Sequence, residues 1–207
     1  MSFLQGIDLG NLLIKTAVKR LKEEFPEMTK FSTLSPVPGF RAWLMNELTL
    51  AKRGQSKVLT DPEMERLRAP LSRVSEEQPA QSHEDVCAQL SAVLKANTWS
   101  QDDALVAGLE NPLMRMCTRY LFVEKRRNFA LNSVANFHLR NGATMWRINW
   151  LADMSPRGMD NSLGIMVNYR YFLDRVDTNS SQYLLGHEIA AGEQVLQLAS
   201  QAREVMK

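Results

Sequence analysis

The sequence lacks several features that would narrow its function at once. It has only two cysteines, Cys87 and Cys117, and neither has a CxxC partner, so we predict free thiols without a disulfide or structural zinc. No apolar run reaches the roughly 18 residues that a transmembrane helix needs, and the first residues lack the regions of a signal peptide. The 25 basic and 23 acidic residues leave a net charge of +2, which is too small to give the positive electrostatic potential that attracts nucleic acid. We therefore expect a cytoplasmic protein that binds neither membranes nor nucleic acid.

The length and composition allow one substantial core. With 207 residues, 44% of them hydrophobic, the chain is predicted to form a single domain over residues 1–207. A helical insertion is predicted at residues 54–112, because helix-start signals recur at residues 60–63, 82–85, 100–103 and 111–112. Asp102 and Asp103 resemble a catalytic carboxylate pair, but helix capping explains both of them without chemistry.

Apolar periodicity divides the rest of the chain. It predicts helices at residues 9–25, 39–52, 112–140 and 181–206. The period changes to two in residues 145–151, where Trp146, Ile148 and Trp150 share a predicted face, and again in residues 164–172. We predict that these two segments are neighbouring antiparallel strands, joined by a loop at residues 153–162 that can line a site. The fold class is therefore α+β.

Two side chains stand out for chemistry. Ser35 lies in a Ser/Pro loop predicted to be rigid, and because Pro36 has no N–H for an oxyanion hole, Ser35 suits hydrogen bonding better than nucleophilic attack. An ordinary turn serine is the alternative. His138 is predicted to face the interior from the last turn of a helix, where the helix dipole favours the imidazolium by up to about 1 kcal/mol and suits a general acid. A hydrogen-bonded core histidine is the alternative.

A glycine-bearing segment precedes the first predicted helix. It consists of Gln5, Gly6, Ile7, Asp8, Leu9, Gly10 and Asn11. Its glycines let backbone N–H groups and a helix N-terminus approach a pyrophosphate, although a plain helix entry is the alternative. The segment resembles the coenzyme A loop of GNAT-type acyltransferases, with Asp8 where that pattern has its middle glycine.

Other candidate residues are better explained by structure. His83 and Cys87 lie four apart on a predicted helix, but two ligands fall short of a closed metal site, so no metal is predicted. His187 is predicted at a surface helix entry. Residues 125–127 are basic, and a solvated helix face explains them better than a phosphate contact.

Five stretches, in the same order along the chain, resemble malonyl-CoA decarboxylases. They are QGIDLG (5–10), FSTLSPVPGF (31–40), ANFHLRNGA (135–143), WRINWLAD (146–153) and NYRYFL (168–173). The resemblance implies a GNAT-like mixed sheet flanked by helices, and an enzyme that converts malonyl-CoA to acetyl-CoA and CO2 in fatty acid metabolism. It implies no metal and no organic cofactor, because coenzyme A belongs to the substrate.

The same resemblance assigns roles to residues. Ser35 matches the catalytic serine, His138 the proton donor, and residues 5–11 the loop that binds malonyl-CoA, with Tyr171 and Asp8 in support. Family members carry a helical domain and several strands ahead of that loop. The resemblance therefore implies that front strands of the sheet are missing from this chain. We also expect the full-length protein to be a homo-oligomer.

Two other functions fit the same residues. One is a CoA-dependent acyltransferase of GNAT type, which would pass an acyl group to an amine. The other is a CoA-binding fragment without turnover.

Overall fold

A computed structural model describes the backbone of residues 7–76 and 78–206, and the side chains of residues 14, 16–76 and 78–206. Helices and short antiparallel strands are mixed along the chain, so the α+β class is confirmed. The helices are α1 Ile7–Glu24, α2 Phe40–Ala51, α3 Asp61–Ser75, α4 His83–Ala96, α5 Asp103–Thr118, α6 Ser133–Arg140, α7 Pro156–Ser162, α8 Val176–Gly186 and α9 Glu193–Val205. The strands are β1 Phe31–Pro36, β2 Lys125–Arg126, β3 Phe129–Ala130, β4 Thr144–Asn149 and β5 Met166–Tyr171.

The main sheet has the strand order β1-β5-β4, and both strand pairs are antiparallel. The predicted pairing of β4 with β5 is confirmed. The central strand β5 alternates buried and half-buried side chains, and its buried positions are Val167, Tyr169 and Tyr171. This alternation gives the sheet one interior face, and Ser35 of β1 lies on that face opposite Val167.

A β-bulge changes the face that β4 presents. The register of β4 against β5 shifts between Met145 and Arg147. Met145 and Ile148 are buried as a result, while Trp146 is 40% exposed. The prediction that Trp146 and Ile148 share a face is wrong, because the extra residue of a bulge interrupts the strict alternation of a strand.

The two edges of this sheet differ. The outer edge of β4 is covered by the chain before α9, where Met145 N–H donates to the Ala190 carbonyl and Gly192 N–H donates to the Met145 carbonyl, both at 2.9 Å. The Gln194 side chain bonds both backbone groups of Ile148. Within the described residues, β1 has β5 as its single strand neighbour. No further strand of the described residues pairs with the outer edge of β1.

Helix capping in residues 60–103 follows the sequence. Thr60 and Ser82 form capping boxes at the starts of α3 and α4, and Asp102 accepts the N–H of Leu105 at the start of α5. The capping interpretation of Asp102 is therefore confirmed. The helix start predicted at Pro112 is wrong, because Pro112 lies inside α5. The bounds of an insertion at residues 54–112 stay a prediction.

The helix predicted over residues 112–140 is interrupted. α5 ends at Thr118, and a π-helical turn at Arg119–Val123 leads into a β2–β3 hairpin before α6 begins. Arg127 and Asn128 at the hairpin turn both have positive φ, of 50° and 70°. A two-residue turn of this kind matches the twist of paired strands, which the apolar periodicity did not indicate.

Two further boundaries differ from the prediction. The last predicted helix, residues 181–206, is two helices, because α8 ends at Gly186 and His187 adopts left-handed backbone at φ 58°. The predicted loop at residues 153–162 contains the short helix α7, which Ser155 caps by accepting the N–H of Gly158. In both places a local cap sets the boundary that periodicity missed.

Candidate active site

Ser35 lies in β1, not in a rigid loop as predicted. Its side chain is 6% exposed and faces the interior, and Thr33 is half-buried on the same face of the strand. The loop prediction relied on Pro36, which occupies the last position of the strand. A proline is tolerated at the end of an edge strand, because no ladder hydrogen bond is lost there.

His138 lies in the last turn of α6. The helix ends after Arg140, and Gly142 follows in left-handed backbone at φ 77°, as the Asn-Gly pair predicts. A side chain on Gly142 would collide with the backbone carbonyl of Val176. His138 is 8% exposed, so the prediction that it faces the interior is confirmed.

Four side chains form a continuous hydrogen-bonded relay, consisting of Thr33, Ser35, His138 and Tyr171. The Tyr171 hydroxyl lies 2.7 Å from Nδ1 of His138, and Nε2 of the same ring lies 3.2 Å from Ser35 Oγ. Ser35 Oγ lies 2.9 Å from Thr33 Oγ1. The fold thus brings together Ser35 and His138, which are 103 residues apart in the sequence, together with Tyr171.

The relay has two possible directions. If Tyr171 donates to Nδ1, then Nε2 carries the ring proton and donates to Ser35, whose hydroxyl donates to Thr33. In the reverse direction Thr33 donates to Ser35, Ser35 donates to Nε2, and Nδ1–H donates to Tyr171. The first direction presents a proton donor toward Ser35, and the second presents an acceptor.

Burial makes the relay neutral at pH 7. Desolvation lowers the pKa of His138 to about 4, so the resting imidazole is uncharged. Desolvation of the ring therefore acts against the predicted preference for the imidazolium at this helix end. Burial also raises the pKa of the Tyr171 phenol, which stays protonated. An anion that entered beside the ring would raise the pKa of His138 again.

Sequence reasoning missed two residues of the site. Thr33 extends the relay beyond Ser35, and the Tyr169 ring stacks on the imidazole of His138 with centroids 4.3 Å apart and an interplanar angle of 18°. Thr33 lies two positions before Ser35 in β1, and Tyr169 lies two positions before Tyr171 in β5. The two-residue period of a strand is the signal that would have found them.

One buried amide joins the segments that carry Ser35 and His138. Asn132 Oδ1 accepts the Ala135 N–H at 2.9 Å and starts α6, the helix of His138. Its Nδ2 donates to the Pro38 carbonyl, also at 2.9 Å, three residues after Ser35. Asn132 therefore fixes the turn after β1 relative to the start of α6.

The comparisons with known proteins agree with one another. A family model described as "Malonyl-CoA decarboxylase C-terminal domain" matches residues 2–207. The chain belongs to this family. Mitochondrial malonyl-CoA decarboxylases of Mus musculus and Anser anser anser are each 44% identical, over 96% and 99% of this chain but 38% and 39% of their own lengths.

Solved structures of malonyl-CoA decarboxylases are also similar to this chain. The crystal structure from Rhodopseudomonas palustris aligns with a TM-score of 0.70 and 32% identity, over 94% of this chain and 39% of that chain. The one from Agrobacterium vitis gives 0.69 and 33%, over 94% and 42%. This member of the malonyl-CoA decarboxylase family therefore spans less than half the length of these relatives.

The predicted malonyl-CoA loop of this decarboxylase family member is described only in part. Gln5 and Gly6 lie outside the described residues. The backbone of Ile7 through Asn11, which includes Asp8, Leu9 and Gly10, is helical, so α1 begins within the segment that we predicted to precede it. The binding role of the segment stays a prediction.

A cleft of about 450 Å³ lies beside the relay. Ile14 and Val18 of α1 line it together with Tyr171 and Leu173 from the end of β5 and beyond. The volume is in the range of small-molecule sites. Because Tyr171 also bonds His138, the cleft reaches the relay from the Nδ1 side of the ring.

The cysteines and His83 show no sign of chemistry. His83 lies 3.8 Å from Cys87, and burial raises the pKa of that thiol to about 12. Burial also raises the pKa of Cys117, and both thiols are free. No cluster of three or more histidine, cysteine or carboxylate side chains suited to a metal occurs in the described part of the chain. Nor does that part contain a helix long and apolar enough to cross a bilayer.

The remaining candidates are exposed, although not on the elements predicted for them. Lys125 and Arg126 form β2, and Arg127 lies in the hairpin turn, so the predicted helix face is wrong. His187 follows the end of α8 and does not enter a helix, and its ring packs edge-on against Phe129 at 5.0 Å.

Proposed function

We propose that this chain decarboxylates malonyl-CoA to acetyl-CoA and CO2. The observation that carries the proposal is the buried contact between Ser35 Oγ and His138 Nε2, because the resemblance assigns catalysis to these two residues. Membership of the malonyl-CoA decarboxylase family supports it. Tyr171 completes the arrangement by holding the second nitrogen of the imidazole.

The reaction makes three demands on such a site. The bond between the carboxylate carbon and the methylene carbon breaks, its electron pair moves into the thioester to form an enolate, and CO2 leaves. The enolate carbon then takes one proton. The site must therefore orient the carboxylate, stabilise charge on the thioester oxygen and deliver a proton.

Ser35 and His138 are suited to these demands. We assign Ser35 to positioning the malonyl carboxylate or the thioester oxygen, and each positioned donor of this kind contributes roughly 3–4 kcal/mol. His138 is the proton donor. Its ring is neutral at rest, and an incoming malonyl carboxylate raises its pKa so that it takes up the proton that the reaction consumes. Loss of CO2 moves that negative charge from the carboxylate onto the enolate, and the imidazolium then gives its proton to the enolate carbon.

Two other parts of the molecule have proposed roles. The N–H groups at the start of α1, within the predicted loop of residues 5–11, bind the pyrophosphate of coenzyme A. Tyr171 lines the cleft beside α1, and we propose that the ring of His138 recovers its proton through it. No metal or organic cofactor is needed, because the thioester accepts the electron pair. Chelation by EDTA is expected to leave the rate unchanged.

We further propose that the sheet is the carboxyl-terminal part of a GNAT-like core. The antiparallel order β1-β5-β4 supports this, and so does the outer edge of β1, because no strand of the described residues pairs with it and it can accept the expected front strands. A structure of the full-length protein with one or more strands beside β1 would bear this out. A helix packed across that edge would contradict it.

The proposed activity is tested by CO2 release from malonyl-CoA with no acyl acceptor present. We expect acetyl-CoA and CO2 in equal amounts, whereas an acyltransferase would release CoA only when an amine is added. Binding of CoA without any CO2 would indicate a fragment without turnover. Either result would overturn the proposal.

Variants assign the activity to the relay. Ser35→Ala and His138→Asn are each expected to retain CoA binding and to lower turnover by roughly 100-fold or more. Two matched controls are expected to leave turnover unchanged. Ser32→Ala changes an exposed serine of the same strand. His187→Asn changes an exposed histidine in left-handed backbone, a conformation that asparagine also adopts. Unchanged turnover in His138→Asn would remove His138 from the mechanism.

The cellular location and assembly also stay proposals. The sequence favours the cytoplasm, while the names of the mouse and goose relatives place those proteins in mitochondria. Microscopy of the tagged protein in its own cells tests the location. Light scattering of the full-length protein tests the expected homo-oligomer.

A further inference from the structure

The ring of Tyr169 covers one face of the imidazole of His138. The centroids lie 4.3 Å apart and the planes differ by 18°, which is a stacked geometry. Tyr169 is fully buried at 0% exposure in β5, the central strand of the sheet. Its ring is therefore held by the sheet and cannot move aside without local unfolding.

The two hydrogen bonds of His138 do not prevent every motion of its ring, and the stacked ring of Tyr169 prevents the motion that remains. Ser35 bonds Nε2 and Tyr171 bonds Nδ1. Hydrogen bonds of an imidazole favour the plane of the ring, because the N–H group and the nitrogen lone pair both lie in it. Such bonds resist rotation within that plane, but they resist tilting out of it only weakly. A flat neighbour in van der Waals contact opposes the tilt directly. The ring also excludes water from the covered face.

The hydroxyl of Tyr169 is separable from the ring. It is buried and has no hydrogen-bond partner among the described residues. A buried hydroxyl without a hydrogen-bond partner destabilises a protein. Replacing Tyr169 by phenylalanine would therefore remove no stabilising interaction of the hydroxyl. The aromatic ring is therefore the part of Tyr169 that acts on the site.

We propose that Tyr169 is a positioning residue whose ring sets the plane of the His138 imidazole and shields one face of it from water. The proposal rests on the catalytic role of His138 proposed above. It goes beyond that role, because Tyr169 contacts neither the Ser35 hydroxyl nor Tyr171 through a hydrogen bond. Two ionisable side chains are described in contact with the imidazole of His138, and they are the phenols of Tyr169 and Tyr171.

Two substitutions separate the ring from the hydroxyl. Tyr169→Phe retains the stack, and Tyr169→Leu removes it while keeping an apolar side chain of moderate size. The primary readout is the titration of His138 by NMR, which does not need turnover. The chain has three histidines, and the signal missing from His138→Gln identifies the relevant one.

We expect Tyr169→Phe to match the parent in both the His138 titration and kcat. In Tyr169→Leu water reaches the imidazole, and the pKa of His138 rises by roughly one unit or more toward its ordinary value. We expect kcat to fall roughly 10- to 100-fold, because the ring tilts away from Ser35, with a smaller change in KM.

Stability needs a matched control. Leu67→Ala truncates a fully buried side chain in α3, away from the relay, and urea is added to the two variants at levels that leave equal folded fractions. If Leu67→Ala lowers kcat as much as Tyr169→Leu does, the effect is general destabilisation and the proposal fails. It fails equally if Tyr169→Leu leaves the His138 titration unchanged, or if Tyr169→Phe shifts it as far. Because the titration decides the outcome even in a chain without CO2 release, failure of the proposed activity is distinguishable from failure of this inference.

Discussion

The lowered pKa of His138 predicts how the stability of the protein depends on pH. The imidazole has a pKa of about 4 in the folded chain, against 6.5 as its ordinary value. The unfolded chain therefore binds more protons between these two values, and the free energy of unfolding falls as the pH drops through this window. For one such group the linkage relation gives a loss of about 2 kcal/mol between pH 7.5 and pH 5. Above pH 7 the contribution is fully present.

The assay is urea unfolding of the parent and of His138→Gln at pH 7.5 and at pH 5. Glutamine keeps a polar amide near Ser35 but does not titrate. The parent is expected to lose about 2 kcal/mol more than the variant between the two pH values. All other ionisable groups are common to both proteins, so their contributions cancel in the difference. Equal losses in the two proteins would refute the argument that burial holds this ring neutral.

Three further predictions concern stability and thiol reactivity. Arg115→Met leaves the buried Glu63 carboxylate without its 2.6 Å partner and is expected to lower the free energy of unfolding by about 3–5 kcal/mol, whereas the double variant with Glu63→Leu recovers much of the loss. Urea unfolding of both variants measures this, and equal loss in the two would contradict it. Gly142→Ala is expected to lower the free energy of unfolding by at least about 1–2 kcal/mol, because an alanine is strained in the left-handed backbone of this position. A lower Tm would show this, while an unchanged Tm would argue against the φ of 77°. Cys87 and Cys117 are expected to react with a thiol reagent only after unfolding, because burial raises the pKa of both thiols; rapid labelling of the native chain would contradict this.

The sequence predicted those parts of the fold that depend on neighbouring residues. Thr60, Ser82 and Asp102 mark their helix starts because a cap bonds an N–H two or three positions away. The antiparallel pair β4 and β5 followed from alternation over a few residues. The bulge after Met145 and the hairpin turn at Arg127 were missed, because packing against the rest of the sheet and chain decides them.

The candidate site was predictable by a different route. Ser35 and His138 were paired through their resemblance to a family, since no local pattern links residues 103 positions apart. The lowered pKa of His138 was not predicted, because burial depends on neighbours that the helix pattern does not show. Tyr169, in contrast, was within reach of sequence reasoning. It lies two positions before Tyr171 on a strand, and the side chains of such a pair point to the same face.

The double use of Asn132 restricts which substitutions this chain tolerates. Aspartate and serine start helices about as well as asparagine does, so helix statistics treat the three as interchangeable at this position. Neither replacement offers an amide N–H to the Pro38 carbonyl, and the carboxylate of an aspartate would repel that carbonyl oxygen. A redesign guided by helix propensity alone would therefore accept changes that leave α6 intact while releasing the turn that follows Ser35.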